Sequence, residues 1–560
     1  MTKYRDILRD GGLIIGSGVL FLLFSLSLSA QEGIDREVVV VRSFEPSVAD
    51  AAKINLLPSL TDTISVLPDF SYSIVPTPLI YDFEVEPITP ARMSAETVSK
   101  LYGSHIRLGL GSYISPFAEL SINNLRNNKL SGGMFLKHHS SRGRLWLNND
   151  EKAFSQFSDN EMLFYGKRMG RRHVISADAG LQSNGFHYYG YDTGAVADTT
   201  LQKDDIDQNY LVANAGLRFK SIHIDSNNLN YDVSLNYNFF KDRGNVEEHG
   251  FVFRSSFDRF IRSQVIGADI GIDYYDNTFF PDTSNMVLKI SPWFKTADDE
   301  WEVFAGFHAY YDQLGDESSV YFHPRASLQF SIIRDYVIPY VGIDGNLNIN
   351  NYRRIAYDNL FIVPGLFVRN SNRRMDLHTG LKGNFTRNVP FNFRVSYSVV
   401  DDMHFFINDS TGLIGNQFSV DYDNVELLKY SAEIGAEVSD RFTLFARGNY
   451  YSYGMKLLEH PWHKPSLDLR FSARYNLRDK ILLNADVFYI GKRYAMPFGN
   501  DAEPIELRGL ADINLGLEYR YNRILSGFIR LNNITSTQYY KWNNYPVQGF
   551  SLKAGFTYSL

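Results

Sequence analysis

The strongest constraint on the fold of this chain is an alternation of apolar and polar residues that runs from about Gly103 to the carboxyl terminus. In Leu467–Leu477 every odd position is apolar and every even position is polar, and Tyr430–Val438 and Ala511–Tyr519 show the same period of two. This is the period of a β-strand whose two faces meet different surroundings. The sequence therefore predicts an all-β domain built from amphipathic strands.

The length of these segments separates a membrane barrel from a soluble sandwich. Strands of soluble sheets usually have about 5–6 residues, whereas a strand that crosses a bilayer needs about 9–11. The alternating segments are about 9 to 15 residues long. With 351–373 taken as one outer loop, the count between 104 and 559 is about 22 strands, in a range of about 18–24. We predict a transmembrane antiparallel up-and-down β-barrel over residues 103–560, in the outer membrane of a Gram-negative cell.

Aromatic residues and connections agree with this orientation. Aromatic residues make up 15% of the chain, and those at segment ends are expected to form girdles at the lipid headgroups: Tyr274-Tyr275, Tyr310-Tyr311, Tyr450 to Tyr453, and Tyr539 to Trp542. Tight periplasmic turns are expected at 126–129, 334–335, 439–440, 478–480 and 522–523. Longer outer loops are expected near 191–206, 401–427, 454–465 and 494–506.

The first hundred residues have a different composition. Residues 1–30 contain Lys3, Arg5 and Arg9 before an apolar stretch, which is the pattern of a signal peptide; a retained membrane anchor is the alternative. Residues 31–102 are rich in proline and are expected to be an extended periplasmic or lumenal segment. Val38, Val39, Val40 and Val41 form a β-branched run that could add to the sheet edge of another protein or pair within this one.

Composition and motifs exclude several functions. The chain has no cysteine, so it has neither a disulfide framework nor a thiolate site. Its net charge of -7 gives no basic surface for nucleic acid. The 13 histidines are scattered, and neither His138-His139 nor the His460 and His463 pair has a helical zinc spacing. We expect no catalytic residue, no metal, no cofactor and no enzymatic activity.

The same alternation assigns charges to the inner face of the barrel. Eight side chains of the later strands are expected to point into the lumen: Glu433, Glu437, Arg447, Arg470, Arg474, Asp512, Glu518 and Arg520. Their mixed signs favour a wall of salt bridges over an ion-selective constriction. Known barrels of this strand number have a plugged lumen, so we expect residues 31–101, a long loop such as 401–427, or a partner to close it.

The carboxyl-terminal residues carry a family resemblance. Arg530–Thr535, Gln538–Tyr540, Tyr545–Phe550 and the final Gly555–Leu560 resemble the last hairpin of TonB-dependent receptor barrels. The stretches around Val40–Pro46 and Asp50–Asn55 resemble the entry region of receptor-like barrels of Bacteroidetes type. The Val38 to Val41 run resembles a TonB box, the short strand that such receptors offer to the energy-coupling protein.

The chain also departs from that family. TonB-dependent receptors carry a plug domain of well over a hundred residues before the barrel. In this chain only about 70 residues lie between the expected cleavage site and Gly103, so a full plug is expected to be missing. The last residue is Leu560 rather than an aromatic one, but Phe556, Tyr558 and Leu560 keep that face apolar for recognition by the barrel-assembly machinery.

These observations lead to two main functional hypotheses. The first is an outer-membrane receptor or transporter for an unidentified solute, whose partners would be membrane lipid and a TonB-type energy-coupling protein. The alternative is a non-transporting accessory or structural barrel within another outer-membrane complex for secretion or assembly. The missing plug favours the alternative, whereas the carboxyl-terminal hairpin and the valine run favour the receptor. An integral-membrane enzyme is a remote third.

Overall fold

The structure is a computed structural model that describes residues 102–124, 127, 129–147, 152–191, 206–222, 228–280, 283–409, 415–497 and 503–560. The expected signal peptide, the proline-rich segment up to Leu101 and the Val38 to Val41 run lie outside the described residues.

The described residues form 26 strands and one helix. The strands are β1 Ser104–Gly111, β2 Phe117–Asn123, β3 Leu130–Trp146, β4 Lys152–Met169, β5 His173–His187, β6 Asp207–Ser221, β7 Asn230–Lys241, β8 Glu247–Ile261, β9 Gln264–Asn277, β10 Asn285–Ala297, β11 Trp301–Leu314, β12 Glu317–Phe330, β13 Ile338–Asn348, β14 Ser371–Asn384, β15 Pro390–Asn408, β16 Phe418–Ser439, β17 Phe442–Gly454, β18 Leu467–Leu477, β19 Ile481–Ile490, β20 Arg493–Ala495, β21 Ile505–Leu507, β22 Leu510–Arg520, β23 Leu525–Asn532, β24 Tyr540–Trp542, β25 Tyr545–Pro546 and β26 Ser551–Ser559. The helix, α1, is Tyr352–Asp358.

Twenty-two of these strands form one closed antiparallel barrel. Each barrel strand pairs with the next one along the chain, and β26 pairs with β1 from Ser559↔His105 to Lys553↔Gly111, which removes the free edges. The remaining four strands are two small hairpins, β20–β21 and β24–β25. The predicted fold and strand number are confirmed. Among the described residues, α1 is the one helix, and it is too short to cross a bilayer.

The outer surface of the barrel is apolar, as the alternation requires. In β18, Leu469, Phe471 and Tyr475 are exposed by 44%, 42% and 37%, and large apolar side chains are exposed in the same way on the other strands. Such a surface is unfavourable in water and suits lipid. The chain is therefore a multi-pass outer-membrane β-barrel.

The expected aromatic girdles are only partly correct. In the pair Tyr310-Tyr311, Tyr311 is exposed on the outer surface, whereas Tyr310 is 3% exposed and packs on Val287 and Leu347 inside the barrel. Neighbouring residues of a strand must point to opposite faces, so a tyrosine pair cannot lie wholly in lipid. Trp542 packs on Phe406 inside the barrel mouth and is not a girdle residue.

The connections alternate between the two barrel ends. The termini of the barrel lie at one end, which we call the turn end, together with most of the short connections; the expected tight turns at 334–335, 439–440, 478–480 and 522–523 fall there. The two-residue turn Gly315-Asp316 between β11 and β12 lies at the opposite end. The longer connections lie at the opposite loop end, which faces the outside in barrels of this type. The expected loop 401–427 is wrong: β15 continues to Asn408 and β16 begins at Phe418, so the connection is 409–417.

The sheet opens locally between β12 and β13. Their ladder has four residue pairs, from Ala326↔Ile343 to Gln329↔Tyr340, whereas β11 and β12 pair over their whole length. The upper part of β13 keeps its pairing with β14 through a β-bulge between Asp344 and Asn346. Freed from β12, this hairpin carries the connection 349–370 and α1 into the lumen.

Candidate functional site

A buried core of aromatic and aliphatic side chains lies inside the loop end. It is formed by the described parts of the connections 188–206, 349–370, 409–417, 455–466, 491–509 and 533–550, which we call the loop cap, together with the strand ends beneath them. Its central side chains are exposed by 9% or less: Phe186, Tyr188, Ile206, Tyr210, Val212, Phe240, Val246, Tyr352, Ile355, Ala356, Ile362, Leu366, Phe406, Phe418 and Tyr545. Burial of each large side chain stabilises such a core by about 1.5–3 kcal/mol. The loop cap thus has the interior of a folded domain.

The loop cap joins opposite walls of the barrel. Tyr188 follows β5 and donates its hydroxyl to the carbonyl of Ile362 at 2.9 Å, while the Asn416 amide, just before β16, donates to the carbonyl of Tyr188 at 2.8 Å. Tyr545 donates to the carbonyl of Asn416, and its ring stacks on Phe361 with 3.6 Å between centroids. Strands β5 and β16 are eleven places apart in the ring of 22, so these contacts cross the mouth of the lumen.

Helix α1 is held in the mouth by carboxylates of the wall. Its first turn has free backbone amides; the side chain of the N-cap Asn351 accepts one of them, from Arg354 at 3.2 Å. Glu248 of β8 accepts the Asn351 side-chain amide and the Tyr352 backbone amide, both at 2.7 Å. The Tyr352 hydroxyl donates to Asp242 at 2.9 Å. Burial raises the pKa of Asp242, and the hydrogen bond from Tyr352 opposes that rise.

A neutral histidine connects three parts of the loop cap. His463 Nδ1 lies 2.9 Å from the carbonyl of Phe406, so this nitrogen carries the proton, and Nε2 accepts the backbone amide of Asn543 at 3.3 Å. Burial lowers the pKa of His463 to about 3, which keeps the ring neutral at physiological pH. Arg493, in the β20–β21 hairpin of the connection 491–509, donates to the carbonyl of Tyr540 at 2.6 Å. This hydrogen bond joins 491–509 to the connection 533–550.

A polar cavity of about 760 Å³ lies directly beneath α1, on its lumenal side. It is lined by the inner faces of β5 to β9, by the upper part of β13 and by α1. Six asparagines contribute to the lining: Asn214, Asn236, Asn238, Asn346, Asn348 and Asn351. Its charged groups are Arg254, Asp273, Arg353 and Arg354. Its volume is within the range of about 300–1,000 Å³ that is usual for small-molecule sites.

Several of the charges expected in the lumen form ion pairs with charges on other strands. Glu433 and Arg447 form an ion pair between β16 and β17. Arg470 lies 3.5 Å from Asp486, and Glu518 lies 3.7 Å from Arg107. These pairs are partly exposed, and pairs of this kind contribute about 0–1 kcal/mol each.

The remaining predicted charges are not brought into one site. Asp512 accepts the hydroxyl of Tyr539 at 2.9 Å, beneath the loop cap. Glu437, Arg474 and Arg520 form no ion pair with any residue that the structure describes. The lumenal position of all eight charges remains a proposal, supported by the exposed apolar residues that alternate with them on the same strands.

The sequence analysis missed the loop cap and the cavity beneath it. The strand count takes 351–373 as one outer loop, with Leu360 to Val368 as a possible strand, although Asn351 before Tyr-Arg-Arg-Ile is a helix N-cap signal and Leu360–Val363 is apolar for a solvated loop. In the last connection, 533–550, a residue that carried the family resemblance also has a structural role: the Asn533 side-chain amide donates to the carbonyls of Thr537 and Gln548, both at 3.0 Å.

Comparisons with known proteins bear on the fold. No protein-family model matches the chain, and no curated protein matches it in sequence. Solved structures do match. The FrpB iron transporter from Neisseria meningitidis has a TM-score of 0.66 at 10% identity, covering 83% of each chain. The ferric-catecholate import receptor Fiu from E. coli K12 has a TM-score of 0.61 at 10% identity, covering 82% of each chain.

A third match is the pyoverdine outer membrane receptor FpvA from Pseudomonas aeruginosa PAO1, with a TM-score of 0.60 at 11% identity, covering 82% of this chain and 79% of that one. The names of these proteins describe an import receptor, an iron transporter and an outer membrane receptor. At such low identity the matches show that this chain has the barrel fold of these receptors.

Proposed function

We propose that this chain is an outer-membrane receptor that takes up a small polar solute, with the loop cap as the closed outer mouth and the cavity beneath α1 as a binding chamber. The observation that carries the proposal is the loop cap itself. Its buried core crosses the barrel from β5 and β6 to β16, and a polar cavity lies immediately on its lumenal side. A closed mouth above a polar chamber is the arrangement that a receptor needs to admit one solute without leaving a pore.

The fold comparison supports the same role. The matched proteins are named as an iron transporter, a ferric-catecholate import receptor and a pyoverdine receptor, and none of these three names is that of an enzyme. We therefore propose a role in transport rather than catalysis. The solute of this chain is a separate question, since the sequence identity to these proteins is 10–11%.

The amino-terminal residues supply the proposed energy coupling. The valines Val38 to Val41 are proposed to pair as a strand with the periplasmic domain of a TonB-type protein. Residues 31–102 are proposed to serve in place of a full plug, as in the Bacteroidetes-type barrels that the sequence resembles. Outer-membrane lipid and, during biogenesis, the barrel-assembly machinery are the other proposed partners.

The test is capture of the purified mature chain by the immobilised periplasmic domain of the energy-coupling protein from the same cell. We expect the wild type and Val39→Ile to be retained, because both keep a β-branched strand, and Val39→Pro to be lost, because proline removes a ladder hydrogen bond. If the wild type is not captured, or if Val39→Pro is captured equally well, this receptor proposal is wrong. A stable stoichiometric outer-membrane partner would then favour the accessory barrel.

A further inference from the structure

We propose that the cavity beneath α1 binds a small anionic solute that carries several hydroxyl groups, such as an acidic or phosphorylated sugar. The inference rests on the receptor function proposed above and names its solute class. It is drawn from the charges, the amides and the position of this cavity.

The first argument is the charge balance of the lining. Of its four charged side chains, Arg254 and Asp273 form an ion pair at 2.7 Å and offset each other. Arg353 and Arg354 donate to neutral oxygens, the Asn238 side chain at 3.0 Å and the Ile349 carbonyl at 2.8 Å. Neither of these two arginines forms an ion pair with a described residue. The lining therefore has a surplus of two positive charges.

The carboxylates near the cavity lie outside its lining, although Glu248 interacts with Arg353 and Asp358 interacts with Arg354. Glu248 lies behind α1, where it is 4% exposed and accepts hydrogen bonds from the start of the helix. Asp159 and Glu161 of β4 approach the end of α1 near Tyr357 but do not line the cavity. A guanidinium group has planar donors that match carboxylate or phosphate oxygens. The charge thus favours an oxyanion over a cation or a neutral apolar ligand.

The second argument is the density of amide groups. The side chains of Asn214 and Asn236 form no hydrogen bond with any described residue, and the Asn346 side chain donates to the Asn348 side chain at 2.9 Å, which leaves the Asn348 amide hydrogens free. Each free amide offers two donors and an acceptor. Hydroxyl groups both donate and accept, so a polyhydroxylated solute can satisfy these amides where a simple inorganic anion cannot.

The third argument is the position of the two arginines on the helix. Tyr352, Ile355 and Ala356 bury one face of α1 in the loop cap. Arg353, Arg354 and Tyr357 lie on the other face and line the cavity. A solute bound to these arginines would contact the loop cap directly. Its binding would therefore be coupled to the position of α1 in the mouth.

The experiment uses the full mature chain in detergent at low ionic strength and isothermal titration with a matched pair of probes, glucose 6-phosphate and glucose. We expect glucose 6-phosphate to bind and glucose to bind at least tenfold more weakly. The double variant Arg353→Gln, Arg354→Gln should lose at least tenfold in affinity for glucose 6-phosphate. The control Arg447→Gln removes an arginine from the far wall of the lumen and should change the affinity less than twofold.

Two further variants keep the test independent of helix packing. Arg353→Lys with Arg354→Lys keeps the charge and should retain more affinity than the glutamine pair. Asn236→Asp adds a negative charge on the opposite side of the cavity and should weaken binding of glucose 6-phosphate severalfold. Heat-modifiable electrophoretic mobility reports whether each barrel has folded.

The inference is overturned if the folded wild type does not bind glucose 6-phosphate, if it binds glucose equally well, or if the glutamine pair keeps its affinity within twofold. Capture by the energy-coupling protein is measured on the same preparation. If capture succeeds and binding fails, the solute class is wrong while the receptor proposal stands. If binding succeeds and capture fails, the site stands and the receptor proposal fails.

Discussion

The wall of the barrel and the loop cap within its mouth are built on different principles. The wall carries partly exposed ion pairs between adjacent strands, such as Glu433 with Arg447, in which each group keeps contact with water. The loop cap has an aromatic core, with side chains such as Tyr545 and Phe418 exposed by 1% or less. The wall can lose one polar contact at little cost, because water replaces it. The loop cap cannot, because its contacts depend on close packing and on the exclusion of water.

The largest effect should come from the centre of the loop cap. Tyr545→Ala removes the ring that stacks on Phe361 and the hydroxyl that reaches Asn416. Truncation of a buried aromatic side chain costs about 3–5 kcal/mol, so amide hydrogen exchange in 349–370 should accelerate by two to three orders of magnitude. Tyr450→Ala, at an outward-facing tyrosine that is 46% exposed, is the control and should leave that exchange unchanged. Equal exchange in both variants would show that the loop cap has no cooperative core.

A smaller effect is expected where the wall holds α1. Glu248→Gln keeps the shape of the side chain but weakens its hydrogen bonds to Asn351 and Tyr352. Hydrogen bonds to a charged group contribute about 1.5–3 kcal/mol, so trypsin should cleave faster after Arg353 in the variant. The neighbouring Glu247→Gln, whose carboxylate pairs with Lys241, is the matched control and should be cleaved at the wild-type rate.

Acid should loosen the loop cap through His463. The folded pKa of this group is about 3, below its ordinary value of 6.5, so the open form binds more protons between these values and the closed form loses stability as the pH falls. The free energy that stabilises the closed form falls by about 2 kcal/mol between pH 6.5 and 5. The protection of the amides in 455–466 against hydrogen exchange, corrected for the slower intrinsic exchange at acid pH, should therefore fall on acidification, and fall less in His463→Gln. An equal pH dependence in both proteins would contradict the assignment.

The smallest effect is expected in the wall. Arg447→Gln breaks the pair with Glu433, in which Arg447 is 51% exposed. The free energy of unfolding should change by about 0–1 kcal/mol, and exchange in 349–370 should stay at the wild-type rate. Faster exchange in 349–370 would show that the packing of the loop cap depends on ion pairs of the wall, which would contradict their independence.

The wall could be predicted from the sequence and the loop cap could not, for a physical reason. Each barrel strand pairs with the next one along the chain. The alternation in a segment such as Leu467–Leu477 therefore predicts the length of the strand and which side chains share a face. The loop cap depends on contacts between distant connections. Tyr188 and Ile362 are 174 residues apart, and Asn416 and Tyr188 are 228 apart. The local sequence pattern of one connection does not predict which other connections it contacts.

Single residues show the same limit. Tyr450 lies on the outer surface, whereas Tyr453, expected with it in an aromatic girdle, packs on the core of the loop cap, and Trp542 lies inside the mouth. The cavity beneath α1 arises because β13 leaves β12 near Gly342, and that opening of the sheet has no signal in the amino-acid pattern.

The most direct test of the account is the conductance of single molecules in a planar bilayer. The wild-type barrel without residues 31–101, which are removed so that they cannot fill the lumen, is compared with a variant in which residues 350–369 are replaced by a short Gly-Ser linker, and with Arg447→Gln as the wall control. We predict that the wild type and the control stay closed, whereas the loop variant conducts through a large, steady pore. A loop variant that stays as closed as the wild type would show that the loop cap does not close this barrel.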